Sequence, residues 1–232
     1  MDYDLDAIVM PYVTSYIREK TVTENPLLIG LEQFAKENKV PIAEPETARL
    51  LSVLTKLIRP KKVLEVGCAI GYSSIIMSEG LAENGAITTL EYNPDAVRVA
   101  RENIHRAGLS DKISVIEADA KDYLSYLDDD ESYDLIFLDG PKAHYLFMLD
   151  DAVRLLRKGG LLISDNILFK GMTADDDHFA RRKVTIINRL REYIDALMAH
   201  PQLETSILSQ GDGITLSVKT ISDRERFGNG EV

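Results

Sequence analysis

From Lys62 onward the chain repeats one pattern, and that pattern narrows the choice of fold more than any other feature. A short apolar run comes first, then a turn, then apolar residues at helical spacing. Val63-Leu64-Glu65-Val66 reads as the first strand, followed by glycines and a helix over residues 73–81. Ala86-Ile87-Thr88-Thr89-Leu90 is the second strand, and Asn93-Pro94 then opens a helix as N-cap and first-turn proline. That helix runs to about Ala107, with Gly108 as its stop signal. Ile113-Ser114-Val115-Ile116 and Leu135-Ile136-Phe137-Leu138 are the next strands. A helix over residues 147–156 then leads through Gly159-Gly160 to a fifth strand, Leu161-Leu162-Ile163-Ser164. Strands that are apolar throughout belong to a sheet covered on both faces. The alternation as a whole specifies a doubly wound α/β sheet.

The two ends of the chain depart from the repeat. Residues 203–208 and 213–219 are strand-like and separated by Gln210-Gly211-Asp212, which predicts an antiparallel hairpin at the edge of a mostly parallel, seven-stranded sheet. Before Pro60, Leu50, Leu51, Leu54, Leu57 and Ile58 recur at helical spacing. No linker or internal repeat divides the 232 residues, so one domain is expected, with a helical extension over 1–60 and an α/β core over 61–219. No apolar run reaches the roughly 20 residues of a membrane span, and the Met1-Asp2-Tyr3-Asp4 start is acidic where a signal peptide is basic. A cytoplasmic setting is expected. One cysteine, Cys68, excludes an internal disulfide, and His105, His144, His178 and His200 lack zinc-ligand spacing. The net charge of −11 disfavours broad binding to nucleic acid, leaving Lys170, Arg181, Arg182, Lys183, Arg189 and Arg191 as either a local basic patch or a solvated helix face.

In open α/β sheets ligands sit beyond the carboxyl ends of the strands, where strand order reverses. The turn Glu65-Val66-Gly67-Cys68-Ala69-Ile70-Gly71-Tyr72-Ser73 departs from G-x-G-x-x-G and carries an acid, which suits a cationic or neutral nucleoside better than a pyrophosphate. Glu91 ends the second strand, either as a carboxylate placed to accept from ribose hydroxyls or as a surface carboxylate near a helix start. Asp119-Ala120 follows the third strand, either near an adenine or as a cap of the next turn. Asp139 and Asp165-Asn166 end the next two strands. They read as ordinary turn residues singly and as a hard oxygen set for Mg2+ or a similar cation together. Lys142 lies close to Asp139 and is either a solvated lysine or a general base.

From about Tyr12 to Lys219 the sequence resembles the cation-dependent, S-adenosylmethionine-dependent O-methyltransferases of the catechol and caffeoyl-CoA group. The likeness is carried by Val63-Leu64-Glu65-Val66-Gly67-Cys68-Ala69-Ile70-Gly71-Tyr72-Ser73, Glu91, Asp139-Gly140-Pro141-Lys142 and Ser164-Asp165-Asn166. It implies the Rossmann-like fold of class I methyltransferases. It also implies that Glu65, Gly67 and Ser73 hold the methionine end of S-adenosylmethionine, Glu91 its ribose and Asp119-Ala120 its adenine region. Asp139, Asp165 and Asn166 would be the metal ligands, Asp139 also lying beside the cofactor, and Lys142 matches the catalytic lysine. Within that group the chain is most similar to bacterial tRNA 5-hydroxyuridine methyltransferases, through Val40-Pro41-Ile42, the Gly67 to Ser73 stretch and Asp165-Asn166-Ile167-Leu168-Phe169-Lys170-Gly171. Catechol enzymes carry a tryptophan soon after the Asp-Asn pair, and this chain has no tryptophan.

The resemblance implies methylation of 5-hydroxyuridine in tRNA, a small catechol-like phenol being the alternative acceptor. A non-catalytic nucleoside-binding protein is the rival from another class. The amphipathic N-terminal helices allow a homodimer, and residues 173–180, with Asp175-Asp176-Asp177, read as a lid or a solvated loop.

Overall fold

Prolines fix where the N-terminal helices begin. The structure, a computed structural model, describes residues 8–175 and 183–227. Helices α1 (Pro11–Lys20), α2 (Pro26–Asn38) and α3 (Pro45–Ile58) each carry proline in the first turn, where its missing N–H would have had no intrahelical partner. Asn25 caps α2 by accepting from Leu27 N at 3.0 Å.

The remaining elements follow in the expected alternation. They are β1 (Lys62–Val66), α4 (Tyr72–Ser78), β2 (Ala86–Glu91), α5 (Pro94–Arg106), β3 (Ile113–Glu117), α6 (Ala120–Tyr126), β4 (Tyr133–Leu138), α7 (Tyr145–Leu155), β5 (Leu156–Asp165), α8 (Val184–Ala199), β6 (Leu203–Leu208), β7 (Ile214–Lys219) and α9 (Asp223–Phe227). The sheet has seven strands in the order β3-β2-β1-β4-β5-β7-β6. Strands β1 to β5 are mutually parallel, while β7 runs antiparallel to both β5 and β6. The doubly wound sheet with an antiparallel edge is therefore what the sequence pattern specified.

Alternate residues of the central strands serve two cores. Leu64, Val66, Ile136, Leu138 and Leu162 pack against α6, α7 and α8. Val63, Leu135, Phe137, Leu161 and Ile163 pack on the other face against α2, α3, α4 and α5. With both faces covered, these strands are apolar throughout, each fully buried side chain contributing about 1.5 to 3 kcal/mol.

Several boundaries differ from the sequence reading. Helix α4 stops at Ser78 instead of residue 81, and the chain turns at Gly80, where a Cβ would stand 2.5 Å from Lys56 N in α3. Helix α7 starts at Tyr145, after a single 3-10 turn over Lys142–His144. Gly159 and Gly160 lie inside β5, not before it: Gly159 has φ +75° and the β4–β5 register shifts between Tyr133 and Leu135, so these glycines serve an irregular strand. Helix α6, which the apolar pattern did not reveal, is short and capped by Asp119. Of the residues 173–180, only Thr173, Ala174 and Asp175 are described, and Thr173 and Ala174 form a turn.

Candidate active site

The chain reverses its direction across the sheet between β1 and β4, and there two loops touch. Gly67 follows β1 at φ +96°, and a Cβ on it would lie 2.3 Å from the carbonyl oxygen of Asp139. Its amide donates to Leu90 O at 2.9 Å, while Asp139 N donates to Val66 O at 2.8 Å. Only glycine satisfies both the backbone angle and the contact.

Above this contact opens a cleft of about 1000 Å3. Its floor and walls come from the carboxyl ends of the strands: Gly67 to Ile70 and Ser73 after β1, Glu91 to Asn93 at β2, Ala118 to Ala120 after β3, Asp139 to Lys142 after β4, and Asn166 after β5. The connection from α2 to α3, Val40 to Glu44, closes the remaining side. The topology thus brings Gly67, Ser73, Glu91, Asp119, Ala120, Asp139, Lys142 and Asn166 to one cavity. Glu65 and Asp165 are not on its surface; both are buried at the strand ends beneath it.

Each acidic residue has a defined local partner. The Glu91 carboxylate accepts from Ala69 N and Asn93 N, both at 3.0 Å, and so ties the end of β2 to the loop after β1. Asp119 is the N-cap of α6 and accepts from Lys121 N at 2.9 Å, while still facing the cleft. The Glu65 Oε2 atom accepts from the Ser74 hydroxyl, and Oε1 is buried with no partner. Burial holds this carboxyl above its usual range. An orphaned buried carboxylate oxygen beneath the glycine cradle leaves an unused acceptor under that end of the cleft, which suits a ligand with a cationic end.

Asp139, Lys142, Asp165 and Asn166 form the other end of the site. Lys142 Nζ donates to Asp139 Oδ1 at 2.9 Å, with both side chains largely buried. Burial raises the Asp139 carboxyl, against the opposing pull of Lys142. Burial also raises the Asp165 carboxyl, and the neighbouring Asp139 carboxylate adds to the effect. Asn166 adopts φ +57°, and its amide donates to Asp165 Oδ1 at 2.7 Å. Among the described residues no three of histidine, cysteine, aspartate and glutamate converge to hold a metal. The candidate set is instead two carboxylates and a carboxamide, and hard divalent cations favour such oxygen donors. Two adjacent buried carboxylates, only one of them ion-paired with Lys142, fit a cation.

Some contributors carried no recognisable motif. Tyr145 is fully buried under the two strand ends, and its hydroxyl meets Leu138 O at 2.9 Å and Asp165 O at 3.2 Å. Asp212, in the β6–β7 turn, accepts from Lys170 N, while Leu168 N donates to Asp212 O at 3.0 Å, so the hairpin grips the segment after Asn166. Arg18 of α1 donates to Glu46 at 2.9 Å and to Glu44 at 2.6 Å, fixing α1 to the Val40–Glu44 wall. The one available signal was an aromatic soon after Lys142; the other contacts join residues far apart in sequence. Of the basic residues, Arg181 and Arg182 lie outside the described residues. Lys183 stacks on Phe169 at 4.7 Å, Arg189 stacks on Phe147 at 4.6 Å, and Arg191 donates to Thr173 O at 2.9 Å.

Residues 18–220 match the family model described as O-methyltransferase. The chain belongs to the O-methyltransferase family. Catechol O-methyltransferase of Niastella koreensis is 30% identical over 89% of this chain and 96% of its own length. Caffeoyl-CoA O-methyltransferase of Populus kitakamiensis is 30% identical over 86% of this chain and 83% of its own. The O-methyltransferase from Bacillus cereus, solved in complex with SAH, superposes with a TM-score of 0.79 at 26% identity, over 90% of this chain and 97% of that one. The protein is thus an enzyme with a class I methyltransferase fold, and the non-catalytic alternative falls. No described helix of this O-methyltransferase is long and apolar enough to cross a membrane.

Proposed function

We propose that this O-methyltransferase moves the methyl group of S-adenosylmethionine to a hydroxyl that has a second oxygen beside it, assisted by a divalent cation such as Mg2+. The observation that carries this reading is that Asp139, Lys142 and Asn166 meet at one end of a cleft, with Asp165 buried beneath that end and the Gly67 cradle beside it. The whole chain acts as one catalytic domain in this reading, in a cytoplasmic setting.

Glu65, Gly67 and Ser73 would hold the methionine end of the cofactor, Glu91 the ribose, Asp119 and Ala120 the adenine, and Asp139 would lie beside it. Asp139, Asp165 and Asn166 would hold the cation. When bound, the cofactor supplies an electrophilic methyl carbon, and the cation supplies Lewis acidity that favours an ionised acceptor oxygen. Lys142 would receive the hydroxyl proton as general base through its neutral amine, so the ammonium that pairs with Asp139 has to give up one proton before the step. The cleft walls fix both reactants in place, so proximity and orientation account for much of the acceleration.

The acceptor we favour is 5-hydroxyuridine at the wobble position of tRNA, giving 5-methoxyuridine. Its hydroxyl and the adjacent carbonyl form the required oxygen pair. Lys170 and Lys183, beside the segment that follows Asn166, supply positive charge for phosphate. A second reading, a small catechol-like phenol, is favoured by the catechol O-methyltransferase relative. A homodimer completes the proposal, since Val53 and Leu57 of α3 leave 53% and 76% of their surface exposed; light scattering at a dimer mass would support it, and a monomer would end it.

The decisive assay offers labelled S-adenosylmethionine with unmethylated 5-hydroxyuridine tRNA and, in parallel, a catechol, each with and without EDTA. EDTA-sensitive label in tRNA supports the first reading, and label in catechol alone supports the second. Label that resists EDTA removes the cation from the mechanism.

A further inference from the structure

We infer that Tyr145 is a positioning residue that sets the spacing between Asp139 and Asp165, acting through a hydroxyl that joins the carboxyl ends of β4 and β5. This rests on the cation site proposed above. The two strands are parallel neighbours, in register from Leu135 with Leu161 to Leu138 with Ser164, and the pairing ends there. Asp139 and Asp165 lie just where that ladder stops holding the chains together. Tyr145 continues it: its hydroxyl lies 2.9 Å from Leu138 O, the residue before Asp139, and 3.2 Å from the carbonyl oxygen of Asp165 itself. One donor shared between two carbonyls holds both backbones at a fixed separation.

The hydroxyl is itself held from behind. The Tyr145 ring is fully buried and meets the Tyr193 ring edge to face, centroids 5.3 Å apart. The Tyr193 hydroxyl is 2.6 Å from Ser164 Oγ, the residue before Asp165. Helices α7 and α8 therefore each send one tyrosine to the same strand end. Neither hydroxyl touches the cleft, since neither residue lines it, so neither is a catalytic residue. Asp139 and Asp165 follow the paired stretches of neighbouring strands, so the separation of the two strand ends sets the spacing of their carboxylates, and side chains that orient ligands from behind commonly govern cation affinity.

The test is Tyr145→Phe, which removes the hydroxyl and keeps the ring. Titration with Mn2+ is expected to show cation affinity about tenfold weaker than in the unaltered enzyme, with S-adenosylmethionine affinity falling by no more than about threefold, because of the proposed cofactor residues only Asp139 adjoins a backbone that Tyr145 holds. The KM for Mg2+ should rise by the same factor. A purely packing role would lower the melting temperature and leave the ratio of the two affinities unchanged, and that result would overturn the inference. Should Y145F fail to fold, Tyr193→Leu, which withdraws the ring behind Tyr145, carries the same expectation. Unaltered enzyme that binds no Mn2+ would instead overturn the cation reading, and this inference with it.

Discussion

Gly67 leaves no room for a side chain, and the reason lies across the sheet. Its φ of +96° is one that L-residues rarely adopt, and a Cβ would sit 2.3 Å from the Asp139 carbonyl oxygen. Neither loop can yield freely, because Gly67 N and Asp139 N are both held in backbone hydrogen bonds. Gly67→Ala is expected to cost about 2 to 3 kcal/mol of stability and at least about tenfold in S-adenosylmethionine affinity, measured by thermal melts and calorimetry. Lys142 makes a different case, because its ammonium is ion-paired with Asp139 at 2.9 Å. Lys142→Met removes the proposed base while keeping the aliphatic stem. The rate constant kcat should fall by about 10^2 to 10^4, with cofactor affinity little changed. Full activity in K142M would show that another group, or solvent, takes the proton.

The elements are joined at the far end of the sheet by a single carboxylate. Asp134 in β4 accepts from Lys61 N at 2.7 Å, from Lys62 N at 2.9 Å and from Arg157 Nε at 2.5 Å, so it ties the start of β1 and the start of β5 to β4. Partial burial pushes its carboxyl upward, but the bonds from Arg157 and the two amides outweigh burial and hold it below the usual range. A depressed folded-state value means that the stabilisation is present above the unfolded value, about pH 4, and is lost as pH falls through the folded one. Asp134→Asn should therefore lower stability by about 1 kcal/mol at pH 7, with the gap to the unaltered protein closing below about pH 4. A gap that stays constant with pH would show that shape, not charge, holds the three strands. Asp134 also shows where sequence reading stops. The apolar runs at Leu135 to Leu138 and Leu161 to Ser164 placed their strands because both faces are buried, and of the polar residues singled out at the strand ends the cleft gathers all but Glu65 and Asp165, which lie beneath it. Tyr145, Asp212 and Arg18 stayed hidden, since their partners are brought near only by folding. Gly159-Gly160 misled because a glycine pair marks a helix stop and a strand irregularity equally well.

At the scale of the molecule the question is how a chain of net charge −11 would hold a polyanion. Repulsion over the whole surface has to be offset locally, and the described candidates cluster around one hairpin. Lys170 donates its backbone N–H to Asp212, Lys183 rests on Phe169, and the charges of both oppose the upward push that burial gives the Asp212 carboxyl. That turn also grips the segment following Asn166, so a phosphate held there would be anchored to the same backbone as the proposed cation ligands. If tRNA is the acceptor, replacing both lysines with alanine should lower kcat/KM for tRNA about tenfold or more at low salt. The same double variant should flatten the logarithmic salt dependence by about one to two, as each lost phosphate contact releases fewer counterions. Methylation of a small catechol should be unaffected, because neither lysine lines the cleft. Equal loss with both acceptors would mean that the lysines act through Asp212 on the cation end of the site, and an unchanged salt slope would place the phosphate contacts on another face.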